Sequence, residues 1–173
     1  MNEVCKRILR LLGACGVLCL VFACSFSYGF EGGSINYDKT KTILISSFPN
    51  RTSFYPEMTQ VFDQALRKRF VEQTRLKEVS SNPDIEIGGE ITAYTLTPMA
   101  VKSDAYASQT RLTLTVKVNY VNNKEISKDV NQTFSSFQEF DSSESLDSVE
   151  DQLVKTLIDD LIDQIYNATV ARW

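Results

Sequence analysis

The 173-residue sequence predicts an α+β fold. The expected form is a two-layer sandwich of order β-α-β-β-β-α, with two helices packed on one face of a mixed, mostly antiparallel four-stranded sheet. Three observations carry this reading. Residues 111–121, RLTLTVKVNYV, alternate strictly: Leu112, Leu114, Val116, Val118 and Tyr120 share one side, and Thr113, Thr115, Lys117 and Asn119 the other. Residues 56–73 and 145–168 repeat apolar side chains at spacings of three and four, the period of a helix. Strand apolarity is one-sided, so both helices belong on the same face.

Taken in order, residues 41–48, KTILISSF, read as the first strand, with Ile43 and Ile45 in phase and Pro49-Asn50 ending it. The helix over 56–73 aligns Met58, Val61, Phe62, Ala65, Leu66 and Phe70. Thr52 or Ser53 is available as its cap, Pro56 suits its first turn, and Arg67-Lys68-Arg69 fall late, where the helix dipole favours cations. Residues 76–79 are a short extended stretch outside the counted strands. In residues 84–97, Ile85, Ile87, Ile91 and Ala93 fall on one side, and Gly88-Gly89 signal a bulge or a close backbone approach. Pro98 closes that strand and residues 99–110 form a polar loop. After the turn at Asn122-Asn123, the last strand covers 128–140, where the odd spacing of Phe134 and Phe137 predicts a bulge. The final helix carries two adjacent rows, Leu153-Leu157-Leu161-Ile165 and Val154-Ile158-Ile162-Tyr166, a stripe wide enough to demand burial. Asp147 with Glu150 supplies a capping-box start. The helix between the first two long strands makes them parallel, and the last three form an antiparallel meander.

The N-terminus reads differently. Residues 1–10 carry Lys6, Arg7 and Arg10 against Glu3, and residues 11–23, LLGACGVLCLVFA, carry no charge. A basic start, a short apolar run and a small final residue describe a signal peptide over 1–23. The run of about 13 residues is short against the roughly 20 needed to span a bilayer. All four cysteines, Cys5, Cys15, Cys19 and Cys24, lie in the first 24 residues, so no disulfide framework or CxxC metal site follows. Cys15 fits a lipoprotein cleavage box by letter but has only two apolar residues before it. Leu18 is too large at the cut before Cys19. Val21-Phe22-Ala23-Cys24 has a full apolar run, though Phe22 is bulky for the box. Cys24 is therefore the expected lipidated residue, with residues 24–33 as its tether and 34–173 as a single domain. Several acyl chains on one cysteine give stable anchoring.

Chemistry is sparse beyond that point. Histidine is absent, which removes imidazole catalysis and the commonest metal ligand. The net charge is −4, and it becomes −6 without the +2 segment 1–23, against nucleic-acid binding. Asp151, Asp159, Asp160 and Asp163 read as a solvated helix face, and Asp141-Ser142-Ser143-Glu144 as the turn before it. No catalytic constellation, cofactor or metal site is expected. Lys102, Arg111 and Lys117 lie on or beside the polar side of the meander and are candidate contacts for anionic lipid or a partner.

Several stretches together carry a resemblance: "GGSINYDKTKTILISSFPNRT", "FDQALRKRFVEQTRLKEV", "GEITAYTLTPMAV", "RLTLTVKVNYVN" and "FDSSESLDSVEDQLVKTLIDDLIDQIYNATVARW". With the cleavage box before them, they resemble the LptE-type lipopolysaccharide-assembly lipoproteins over about residues 24–173. The resemblance implies a non-enzymatic subunit at the periplasmic face of the outer membrane. It would act as plug and assembly partner of a large LptD-type β-barrel, and it would bind lipopolysaccharide during insertion into the outer leaflet. The alternative is a periplasm-facing lipoprotein that binds a glycolipid or other envelope component by itself.

Overall fold

The computed structural model describes residues 35–99 and 108–170, all within one compact unit formed by residues 32–173. Its elements run β1 (Thr42–Ile45), α1 (Met58–Gln73), β2 (Lys77–Glu78), β3 (Ile85–Pro98), β4 (Gln109–Asn122), a short 3₁₀ turn (Ile126–Lys128), β5 (Val130–Asp141) and α2 (Leu146–Thr169). The sheet order is β2-β1-β3-β4-β5. β1 pairs in parallel with β2 and β3, and β3-β4-β5 form the antiparallel meander. The sequence pattern counts four strands, and the fifth is the two-residue edge β2, formed where the chain leaving α1 returns beside β1.

One face of the sheet carries the core. Ile43, Ile45, Ile85, Ile87, Ile91, Tyr94, Leu112, Leu114, Val116, Val118 and Tyr120 form one buried cluster with Met58, Phe62, Leu66 and Phe70 of α1 and Val154 to Ile165 of α2. Phe48 and Phe62 pack at 4.9 Å between ring centroids, and Phe70 meets Tyr166 edge-on at 5.6 Å. Asp63, on the buried side of α1, accepts hydrogen bonds from Phe48 N at 2.9 Å and Ser47 Oγ at 2.6 Å. That joins the helix to the chain leaving β1 and supplies the partners a buried carboxylate requires.

Local details depart from the sequence reading, each for a physical reason. The Gly88-Gly89 pair forms no bulge. A Cβ on Gly89 would overlap the Lys117 carbonyl oxygen and approach Phe48 Cε1 to 2.6 Å, so this is a close backbone approach. The bulge lies instead between Ile91 and Ala93. It inserts Thr92 and reverses the phase of the strand, so that Ala93 pairs with outward Thr115 while Tyr94 turns into the core. The β4–β5 register runs unbroken from Gln109↔Asp141 to Tyr120↔Val130. No bulge separates Phe134 from Phe137: Phe134 is buried, and Phe137 sits on the opposite face beneath Arg111, whose guanidinium is 4.1 Å from the ring centroid.

Both helix starts also differ. α1 begins at Met58, with Glu57 as a cap that makes no side-chain hydrogen bond. Thr52 is already engaged, donating to Asn50 Oδ1 at 2.8 Å, and Pro56 lies in the turn before the helix. The helix runs on to Gln73, so Arg67-Lys68-Arg69 sit a turn short of its end and no basic residue occupies the last turn. α2 starts at Leu146 behind Ser145, again without a side-chain cap. With Ser145 as the cap, the third helical position is Ser148, so Glu150 lies too far along to close a capping box; its carboxylate accepts the Tyr94 hydroxyl at 2.5 Å instead.

Candidate interaction face

The face of the sheet turned away from both helices is a candidate surface, and its composition follows from the strand alternation. Cross-strand rows run Thr97↔Arg111↔Glu139, Thr95↔Thr113↔Phe137, Ala93↔Thr115↔Ser135, Glu90↔Lys117↔Thr133 and Gly88↔Asn119↔Asn131. Hydroxyls dominate it. The Thr115 and Ser135 hydroxyls lie 3.2 Å apart, and Thr92 Oγ1 donates to the Thr115 carbonyl at 3.3 Å. Such rows present donors and acceptors to whatever lies opposite while remaining satisfied in water.

Arg111 and Lys117 both stand on this face. Arg111 is engaged: its Nη2 is 2.6 Å from Glu139 Oε1 and its plane covers Phe137. Lys117 is exposed, and among the described residues no ion pair neutralises it. Six residues apart on one strand, they are separated by about 20 Å, too far for one phosphate to bridge. Lys102 lies outside the described residues, as do Cys24 and the segment 1–34.

The carboxylates that read as a solvated helix face are mostly in use. Asp160 accepts from Ser136 Oγ and Gln138 Nε2, each at 3.2 Å. Asp163 pairs with Arg69 at 2.9 Å, and Asp151 accepts the Tyr55 hydroxyl at 3.0 Å. Asp159 and Asp163 line one groove beside α1, whose lining holds no hydroxyl or thiol. Among the described residues no group of three or more His, Cys, Asp and Glu is placed to hold a metal, and no helix is long and apolar enough to cross a membrane. Two surface grooves beside α1, about 300 and 520 Å³, are lined largely by charged and amide side chains such as Lys68, Glu72 and Asp159, or Glu57, Gln60 and Arg67. Neither lining suits an acyl chain.

The sequence reading missed an aromatic shelf at the far end of β3. Phe54 stacks on Tyr94 with centroids 5.3 Å apart and planes 19° apart. Tyr94 is buried whereas Phe54 and Leu96 are exposed. The sequence reading, which places the helix cap at Thr52 or Ser53 and Pro56 in the first turn, gives Phe54 no role.

The model of the lipopolysaccharide-assembly family, LptE, matches residues 40–169, three-quarters of the chain and every element from β1 to α2. The chain belongs to the LptE family. It is accordingly a lipopolysaccharide-assembly lipoprotein of the cell envelope and not an enzyme. Among solved structures, the LptE-family chain resembles the hypothetical protein CT253 from Chlamydia trachomatis, at 11% identity and a TM-score of 0.50, covering 75% of this chain and 98% of that one. It also resembles the rare lipoprotein B from Shewanella oneidensis, at 12% identity and a TM-score of 0.50, covering 73% and 92%. At these identities the likeness bears on the fold alone. No curated protein sequence matches significantly.

Proposed function

We propose that this LptE-family protein is held at the periplasmic face of the outer membrane by a lipid on Cys24. There it acts as plug and assembly partner of a large LptD-type β-barrel that inserts lipopolysaccharide into the outer leaflet. Family membership supports the process, and the observation that carries the plug reading is the open sheet face. A sheet face of stacked Thr, Ser and Asn rows is poorly suited to an apolar partner, and barrel interiors are polar. Lys117, near the middle of β4 and in no ion pair among the described residues, is the candidate contact for an anionic group. Arg111 is already matched by Glu139, so it is the weaker one. Lys102 stays a candidate on its position in the sequence.

Depleting the protein from the cells that make it tests this reading. Surface lipopolysaccharide, counted with an antibody that cannot cross the membrane, should fall while total lipopolysaccharide persists inside. Unchanged surface display would remove the assembly role. Cys24→Ala should leave unprocessed precursor, and mass spectrometry of the mature wild-type N-terminus should find acylated Cys24. A mature chain starting elsewhere would end the anchor assignment.

A further inference from the structure

The loop before α1 is built to hold one aromatic ring outward. Asn50 organises it: its Oδ1 accepts from Thr52 N at 2.9 Å and Thr52 Oγ1 at 2.8 Å, and its Nδ2 donates to Phe54 O at 2.9 Å and Tyr55 O at 3.3 Å. Tyr55 then sits at φ 49, a left-handed conformation that costs a bulky side chain energy and persists only where the surroundings enforce it. The Tyr55 hydroxyl is tied to Asp151 on α2, and the Tyr94 hydroxyl to Glu150 beside it. The result is a fixed loop that leaves Phe54 55% exposed while one side of its ring rests on Tyr94.

Three carboxylates gather at this shelf. Glu57, Glu150 and Asp151 all act electrostatically on Tyr55. Burial first, and then Asp151, pushes the Tyr55 hydroxyl up to about 12, and burial with Glu150 raises that of Tyr94, so both remain protonated donors. The nearest cation along the chain, Arg51, is taken by Glu90 at 2.9 Å. Among the described residues none of the three carboxylates is ion-paired, and an exposed ring beside them repels phosphate and attracts a cation, which gains from the ring face and from the charges together. Exposed aromatics on rigid supports are also the usual anchors of protein interfaces.

We propose that the Phe54–Tyr94 shelf docks a segment of a partner protein through an arginine or lysine, its cation lying over the Phe54 ring and against the carboxylates of Asp151 and Glu150. This goes beyond the barrel reading. The partner is defined by its cation, whichever envelope protein carries it, and the shelf is separate from the hydroxyl rows of the open sheet face.

The test places a photo-crosslinking benzoylphenylalanine at position 54 of the full chain in the cells that make it, then sequences the crosslinked peptide. The expected product is a protein segment with Arg or Lys within a few residues of the linkage. Glu150→Gln with Asp151→Asn keeps acceptors for both tyrosine hydroxyls while removing the charge. It should lower the yield at least about fivefold without changing the far-ultraviolet circular dichroism. Changing the partner's basic residue to Glu should lower the yield equally. A linkage to lipopolysaccharide or phospholipid, to a neutral or acidic protein segment, or to nothing would overturn the proposal. So would a yield indifferent to the two amide substitutions. The outcome is distinct from that of the barrel reading: Phe54 can fail to link a basic segment while a barrel still co-purifies, and the reverse also holds.

Discussion

Asp84 shows how much one side chain can hold at the open end of this sheet. Its carboxylate accepts from Lys41 N at 2.8 Å and Thr42 N at 3.1 Å, and Lys124 Nζ lies 3.1 Å away. Asp84 N in turn donates to Thr42 Oγ1 at 2.9 Å, so one residue ties β1 to the start of β3. The backbone hydrogen bond from Lys41, followed by Lys124 and Thr42, pulls the carboxyl from 3.8 down to about 2. A depressed carboxyl stabilises the fold above its unfolded value, and the contribution is lost as pH falls from about 3.8 through 2. Asp84→Asn should therefore lower the melting temperature at pH 7 by an amount equivalent to about 1–3 kcal/mol. It should also flatten the acid limb of a thermal-melt series, and an equally steep limb would contradict this. Gly89→Ala forces a Cβ against the Lys117 carbonyl and the Phe48 ring, and should cost about 1–3 kcal/mol in chemical denaturation. The sequence announced Gly88-Gly89 as special and allowed two explanations. Only the neighbouring strand, where Lys117 lies against Gly89, decides between them. Asp84 gave no signal, because its partners at 41, 42 and 124 meet only after the strands pair.

Among the elements, the long period-2 and period-3.6 segments were legible, since the buried stripe is wide in α2 and unbroken in β4. Leu161, fully buried in α2, should lose about 2–5 kcal/mol on change to Ala, whereas exposed Asp159 should change stability by less than about 0.5 kcal/mol on the same substitution. Equal effects in urea denaturation would mean that α2 does not pack as described. Phase was less legible than type. Thr92 inverts the second half of β3, so Ala93 points away from the core that Ile91 enters, and nothing in DIEIGGEITAYTLT distinguishes that insertion from simple alternation. Phe137 misled in the opposite way. Its outward position looked like broken register, yet an arginine on the adjacent strand covers the ring and lets an aromatic stand on a polar face. Helix caps read from sequence failed on register: α1 starts at Met58, well past Thr52, and α2 starts behind Ser145, which leaves Glu150 beyond the capping-box position.

For the molecule as a whole, the helices seal one side of the sheet and leave the other as rows of hydroxyl, amide and scattered charge. That asymmetry was legible, because strand apolarity was one-sided from Ile43 to Tyr120. The aromatic shelf was not, because it joins a loop, β3 and α2 across 96 residues of sequence, from Tyr55 to Asp151. The two surfaces suit different partners: the open face a polar wall, and the shelf a cation. Lys117→Gln on the open face, which avoids setting a second carboxylate opposite Glu90, should weaken association with a partner that presents an anion there and should leave the melting temperature nearly unchanged, since the side chain is exposed and makes no ion pair among the described residues. The central claim is a stable complex with an outer-membrane barrel. Its most direct measurement is affinity purification of the full-length tagged protein from detergent-solubilised outer membranes, with every co-purifying chain identified by mass spectrometry. One large β-barrel protein should be recovered in near-equal amount and survive a high-salt wash. Recovery of the tagged protein alone, from membranes that demonstrably contain such a barrel, would contradict the account.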